Sequence, residues 1–167
     1  MHRDVHPLNG EAMISVRNKK LVLSQDPHFF ALLTRSYARL TGKPLVPPGH
    51  GPEWLYHDAP FALLAHDTES DPLFIYANET AQKCFEYSWE EFTQLRSRAS
   101  AEPVNRFERQ RMLDIVAEKG FVTGYSGVRI AKSGRRFYIE DVVIWQLMNE
   151  MGVTFGQAAV FQSWRNV

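Results

Sequence analysis

One cysteine, Cys84, stands in a chain of 167 residues, so no internal disulfide can form and no cysteine-rich zinc or iron–sulfur site can be built. Net charge is missing too, because 19 basic and 19 acidic side chains cancel. Nucleic-acid binding by phosphate neutralisation needs a basic face, and no such partner is expected. No apolar run approaches the about 20 residues that cross a bilayer. The N-terminus, MHRDVHPLNGEAM, lacks an apolar core followed by a small-residue cleavage site. A cytoplasmic protein without a membrane partner is the expectation. Of the six histidines (His2, His6, His28, His50, His57 and His66) only His2 and His6 stand four apart, and they fall in a polar stretch without helical period, so no helical metal site and no metal are expected.

What is present describes one folded unit. Hydrophobic residues make up 44% and glycines number 10, which excludes wholesale disorder, a collagen repeat and a coiled-coil rod. A chain of this length buries about two-thirds of its unfolded surface.

Residues 1–18 are polar and without period, and read as a loose tail. Asp26-Pro27 then opens a helix: aspartate caps free amides, and proline suits the first helical position. Phe29, Phe30, Leu33, Tyr37 and Leu40 give it one apolar stripe, and Thr41-Gly42 ends it. Residues 43–52, KPLVPPGHGP, form a connector. The organisation expected is a tail and accessory helix over 1–52 and a main domain over 53–167.

The main domain begins with an aromatic segment, 53–56, then two short strands, 61–65 and 73–77, in a hairpin. Asn78 opens a helix through Cys84 and Phe85. Ser88-x-x-Glu91 is a capping box for a second helix over 89–95. A long helix over 103–119 carries Phe107, Met112, Ile115 and Val116 on one side, and Gly120 stops it. Three strands follow, 121–131, 135–147 and 153–164, joined by tight turns into an antiparallel meander. The middle strand is apolar on both faces: Phe137, Ile139, Val143 and Trp145 on one, Tyr138, Val142 and Ile144 on the other. Such a strand must be covered twice, by the mid-chain helices on one side and the helix of residues 26–40 on the other.

The element order and the stretch Phe74-Ile-Tyr-Ala-Asn78-Glu79 through Phe85-Glu86-Tyr87-Ser88-Trp89-Glu90-Glu91-Phe92 resemble a PAS domain, with Glu86 where that family usually has glycine. Four further stretches are similar to the MEKHLA domain, a PAS-related module found in plant homeodomain–leucine-zipper proteins and as stand-alone bacterial proteins. These are Ser100-Ala-Glu-Pro103, Tyr125-Ser-Gly-Val-Arg129, Gly134-Arg-Arg-Phe137 and Gly156-Gln-Ala-Ala159. The resemblance covers about 140 residues, the helix Phe29 to Leu40 included. It implies an α+β, PAS-like five-stranded antiparallel sheet with helices on one face and the accessory helix on the other, and a role in sensing or association. Flavin-using light sensors of that superfamily carry a cysteine corresponding to about Asn105–Gln110, and that stretch has none. Haem-binding relatives need an axial histidine, and residues 100–164 contain no histidine. No cofactor is therefore expected beyond an unidentified small ligand.

Chemistry-bearing residues are few. Cys84, beside Ala81 and Phe85 with no base near in sequence, reads as a buried inert thiol, and no catalytic residue is assigned. Tyr125 and Arg129 share a strand face, Asp141 interrupts an apolar one, and Gln157 shares a face with Ala159 and Phe161. Arg129 and Asp141 can form a buried pair that anchors the sheet; otherwise Arg129 can grip a carboxylate-bearing ligand. The residues expected around a ligand are Tyr125, Arg129, Asp141, Trp145, Gln157 and Phe161.

Charge is uneven along the chain. Residues 53–91 hold nine acids and one lysine, a balance of −8, and residues 96–136 hold ten bases and four acids, a balance of +6. Two such lobes can associate head to tail, choose a complementary partner, or simply be solvated on opposite sides of one fold.

The leading expectation is a sensory or protein-interaction domain that binds a small ligand between sheet and helices. It would signal through a homodimer, favoured by burial of the stripe on the helix of residues 26–40, or through a partner protein. Two alternatives remain: a cone-fold isomerase or dehydratase using Asp141 with Tyr125 or Tyr138, and a ligand-free dimerisation module.

Overall fold

The computed structural model describes residues 23–167; the expected tail, with His2 and His6, lies outside the described residues. After a 3-10 turn, Leu23–Gln25, helix α1 spans Pro27–Thr41. The Asp26 carboxylate accepts the His28 amide at 2.9 Å, and Gly42 closes the helix at φ 74°, a left-handed conformation that glycine adopts without steric cost. The segment expected only as aromatic is helix α2, Pro52–His57.

Strands β1, Ala62–His66, and β2, Phe74–Ala77, lead to helices α3, Glu79–Phe85, and α4, Trp89–Phe92. The capping box is present in both directions, with Ser88 Oγ accepting the Glu91 amide and Glu91 Oε1 accepting the Ser88 amide. Glu86 takes the left-handed conformation, φ 65°. Its carboxylate compensates by accepting the Ser133 amide at 3.0 Å and pairing with Arg135 at 3.2 Å. Helix α5 spans Pro103–Lys119, and strands β3, Phe121–Ile130, β4, Arg136–Met148, β5, Thr154–Phe161, and β6, Ser163–Asn166, complete the chain.

All strands form one antiparallel sheet in the order β2-β1-β5-β4-β3, with β6 pairing the first half of β4. The single strand expected over 153–164 is thus divided after Phe161. One face packs on α1 and α2 through Phe29, Leu33, Leu55, Leu63, Trp145 and Leu147; the other packs on α3, α4 and α5 through Phe85, Phe92, Val116, Phe137, Val142 and Ile144. The stripe of α1 is consumed by the chain's own sheet. Each such Phe or Leu contributes about 1.5–3 kcal/mol by leaving water.

Two expectations fail for identifiable reasons. Between the pairs Tyr125↔Val142 and Gly127↔Ile139, β4 inserts one more residue than β3, and Asp141 sits there at φ 50°. Such a β-bulge shifts the two-residue period by one. Phe137 and Ile139 therefore share a core with Val142 and Ile144, whereas Val143, Trp145 and Leu147 face α1. On α5, Phe107 is 82% exposed and belongs to the outer face. The buried stripe is instead Arg109, Met112, Leu113 and Val116, at spacings of three and four, with Arg109 and Val116 the most enclosed.

The two charged lobes neutralise one another inside the fold. Arg96 meets Glu69 at 2.7 Å, Arg98 meets Asp71 at 3.0 Å, and Lys132 pairs with Glu91. All are largely exposed pairs that contribute little individually.

Candidate ligand-binding site

Between the sheet and α5 lies a cavity of about 60 Å³. At about 10–15 Å³ for each water-sized occupant, it has room for about four to six such atoms. Its floor comes from five strands: Phe74 of β2, Leu64 and His66 of β1, Gln157 and Phe161 of β5, Ile139 and Val142 of β4, Tyr125 and Arg129 of β3. Arg109, Met112 and Leu113 of α5 form the roof. The roof is tied down by side chains donating to α5 carbonyls: Gln157 Nε2 to Leu113 at 3.1 Å, and Gln146 Nε2 to Val116 and Ala117.

Two guanidinium groups are buried at this cavity, Arg109 at 6% exposure and Arg129 at 9%. Arg109 donates to Ser97 Oγ; Arg129 donates to the Val128 carbonyl at 2.8 Å and to Tyr125 Oη at 3.3 Å. Among the described residues, no carboxylate lines the cavity. Burial, then the neighbouring Arg129 charge, lowers the Arg109 pKa from 12.5 to about 10, so it remains charged at neutral pH. Asp71, the acid whose field reaches Arg109, is engaged by Arg96 and Arg98. Gly127 sits between Tyr125 and Arg129, and a Cβ there would lie 2.7 Å from Tyr125 Oη. Glycine leaves the room in which the phenol and the guanidinium meet.

Two neutral lining residues, His66 and Gln157, carry accepting atoms. His66 Nδ1 lies 2.8 Å from the Asp67 carbonyl, which can only accept, so Nδ1 carries the proton and Nε2 is a bare lone pair. Nε2 is sealed from solvent and has no hydrogen-bond partner among the described residues, and the same holds for Oε1 of Gln157, its cross-strand neighbour. Of three such buried atoms among the described residues, two belong to residues that line the cavity; the third, Tyr76 Oη, lies in the opposite core.

Burial pulls the His66 pKa from 6.5 down to about 4; the bond to the Asp67 carbonyl opposes this and the Arg109 charge adds to it. Above pH 6.5 the residue is neutral folded and unfolded, and costs nothing. As pH falls from 6.5 toward 4, only the unfolded chain takes up the proton, so stability is lost at about 1.4 kcal/mol per pH unit at most. Urea unfolding of wild type and His66→Gln at pH 7.0, 5.5 and 4.5 should show a steeper loss in wild type; parallel slopes would refute the assignment.

Four of the six expected site residues (Tyr125, Arg129, Gln157 and Phe161) line the cavity, and two do not. Asp141 is exposed at the bulge, and the anticipated Arg129–Asp141 pair does not form. Trp145 lies on the far side of the sheet, where Nε1 donates to Ser36 Oγ at 3.0 Å and Tyr37 packs edge-on at 4.9 Å. The same one-residue shift at Asp141 moved both. An aspartate inside an apolar strand was itself a bulge signal, because that side chain tolerates positive φ. Arg109 and His66 were missed, although Arg109 falls on the spacing of Met112, Leu113 and Val116. Cys84 is buried, and burial pushes its thiol up to about 12, so it is no nucleophile at neutral pH.

A family model described as the MEKHLA domain matches residues 27–166. The chain belongs to the MEKHLA domain family. The match includes α1, so this MEKHLA domain takes its second sheet cover from within the matched region. No curated protein sequence matches the chain. Among solved structures, it is similar to a PAS domain of a protein from Colwellia psychrerythraea, at 16% identity and a TM-score of 0.56, covering 67% of this chain and 90% of that one. It is also similar to a PAS domain from a two-component sensor histidine kinase (19% identity, TM-score 0.52, covering 68% and 91%) and to a light-oxygen-voltage domain studied with a flavin analogue (18%, 0.52, 64% and 76%). At such identities the likeness establishes the fold: this MEKHLA domain has a PAS-like α+β architecture. Among the described residues, no helix is long and apolar enough to cross a membrane.

Proposed function

We propose that this MEKHLA domain is a sensory module that holds a small ligand in the cavity between the sheet and α5. Occupancy is passed on, as a shift in the packing of α5, to a second copy of the chain or to a partner protein. The observation that carries this reading is the pair of buried, unpartnered acceptors, His66 Nε2 and Gln157 Oε1, at an internal cavity. Leaving such an atom unsatisfied costs about 1–3 kcal/mol, a cost that a ligand with matching donors removes. Helix α5 is suited to the relay because it carries Arg109 toward the cavity and Val104 and Phe107 exposed to solvent.

Room for a few atoms favours a small metabolite over a flavin or haem, in keeping with the missing cysteine in residues 105–110 and the missing histidine in residues 100–164. The acid–base reading is less well supported, because Asp141 stands outside the cavity and, among the described residues, no other carboxylate lines it.

Native mass spectrometry of the full chain tests the proposal. Wild type should carry a non-covalent mass released on activation, and Ala159→Leu, which fills the cavity, should lose it while remaining folded by circular dichroism. A bare wild-type mass, with no thermal shift from any small molecule in a charged and neutral panel, would refute it.

A further inference from the structure

Resting on the cavity being a ligand site, the geometry points to a more specific occupant: we infer that it takes a short-chain hydroxycarboxylate, its carboxylate held by Arg109 and Arg129 and its hydroxyl donating to His66 Nε2 or Gln157 Oε1. Three independent features of the cavity support this.

The first is charge. Two buried guanidinium groups line one cavity and, among the described residues, no carboxylate does. Their present partners, Ser97 Oγ, the Val128 carbonyl and Tyr125 Oη, are all neutral. A buried cation without a counter-charge is costly, and an anion in the cavity supplies one to both arginines. Arginine's planar donor fork suits a carboxylate.

The second is polarity elsewhere in the lining. His66 and Gln157, both lining residues, pair across β1 and β5, and each carries an unpartnered lone pair rather than a proton. A ligand atom reaching them must donate. A hydroxyl does so at no electrostatic cost. An ammonium would also donate, but it would stand near two arginines with no acid to neutralise it, which disfavours amino acids.

The third is size. A cavity of about 60 Å³ admits about four to six water-sized atoms, the range of glycolate and lactate. Aromatic acids and dinucleotides exceed it. The apolar walls, Leu64, Ile139, Val142 and Phe161, suit a short carbon chain.

Isothermal titration calorimetry of the full chain with four probes tests the inference: lactate, its neutral amide lactamide, its deoxy analogue propionate, and alanine. Lactate should bind. Lactamide should bind about 10- to 100-fold more weakly, through loss of charge-assisted bonds, and propionate about 3- to 10-fold more weakly, through loss of one neutral bond. Arg129→Met should reduce the preference of lactate over lactamide. Arg129→Lys should recover part of it, which separates charge recognition from misfolding. Gln157→Met combined with His66→Phe should erase the preference of lactate over propionate and leave that over lactamide. Lactamide or propionate binding as tightly as lactate, or alanine binding more tightly, would overturn the hydroxycarboxylate while leaving the cavity a ligand site. Failure of all four probes, with a different molecule found by native mass spectrometry, would do the same. Silence in both experiments would remove the underlying reading as well.

Discussion

Asn78→Asp is expected to destabilise the protein by about 4 kcal/mol at pH 8, and by clearly less at pH 5. Asn78 is fully buried and uses its amide completely. Its Oδ1 accepts the Leu63 and Ala81 amides, each at 3.0 Å, and its Nδ2 donates to the Leu55 and Phe61 carbonyls at 3.2 and 2.9 Å. Those partners fix which side-chain atom is oxygen, since two of them only donate and two only accept. One residue therefore ties together α2, the start of β1 and the N-terminus of α3. Aspartate keeps the accepting half but turns the other oxygen toward two carbonyls.

The protonated acid restores one of those bonds, so the folded state holds its proton more tightly than the unfolded chain, whose pKa is about 3.9. With the folded pKa raised, stability is retained below the unfolded value and lost as pH rises through the folded one. Denaturant titrations at pH 5 and pH 8 should show the deficit growing. Asn78→Ala, which has nothing to titrate, should show the same large deficit at both pH values. Equal, small losses for Asp at both would mean that the amide network is not what holds the junction.

Gly156→Ala should cost about 3–5 kcal/mol, a lowering of the melting temperature by about 10 °C for a chain of this size. Gly156 is at φ 150°, and a Cβ there would lie 1.9 Å from the His66 carbonyl oxygen and 3.0 Å from its carbon. The obstacle is backbone, so no side-chain rotation relieves it. β1 and β5 would have to part where His66 and Gln157 pair. Gly42→Ala is the control: φ is 74° but nothing lies within 4 Å of the added atom, so only the left-handed conformation is penalised, at about 1–2 kcal/mol. Differential scanning calorimetry of both variants decides the matter, and a Gly156→Ala loss no larger than that of Gly42→Ala would show that the strands can separate freely. The two acceptors of the cavity adjoin this contact, so its tightness also bears on the site.

These positions illustrate what was legible early. Asn78 was recognised as a helix cap, which it is through the Ala81 amide. Its three further bonds reach 15 to 23 residues back along the chain, beyond any local pattern. Gly156 stands in one of the motif stretches of the sequence, but which strand it approaches is decided by the β1–β5 pairing. Arg129 was a candidate from its place beside Tyr125, whereas Arg109 looked like one more charge on a polar helix.

The sequence by itself determined the order of elements, the caps at Asp26, Asn78 and Ser88, the length of the long helix, and the need to cover the sheet on both faces. Each follows from steric and hydrogen-bonding preferences acting over a turn or two of chain. Only the tertiary structure decided the phase of β4 beyond Asp141, the burial of two arginines around one space, the bare nitrogen of His66, and the mutual neutralisation of the acidic and basic segments. Those depend on which distant groups come together, because whether a polar atom is solvated, paired or orphaned is settled by the element that closes over it.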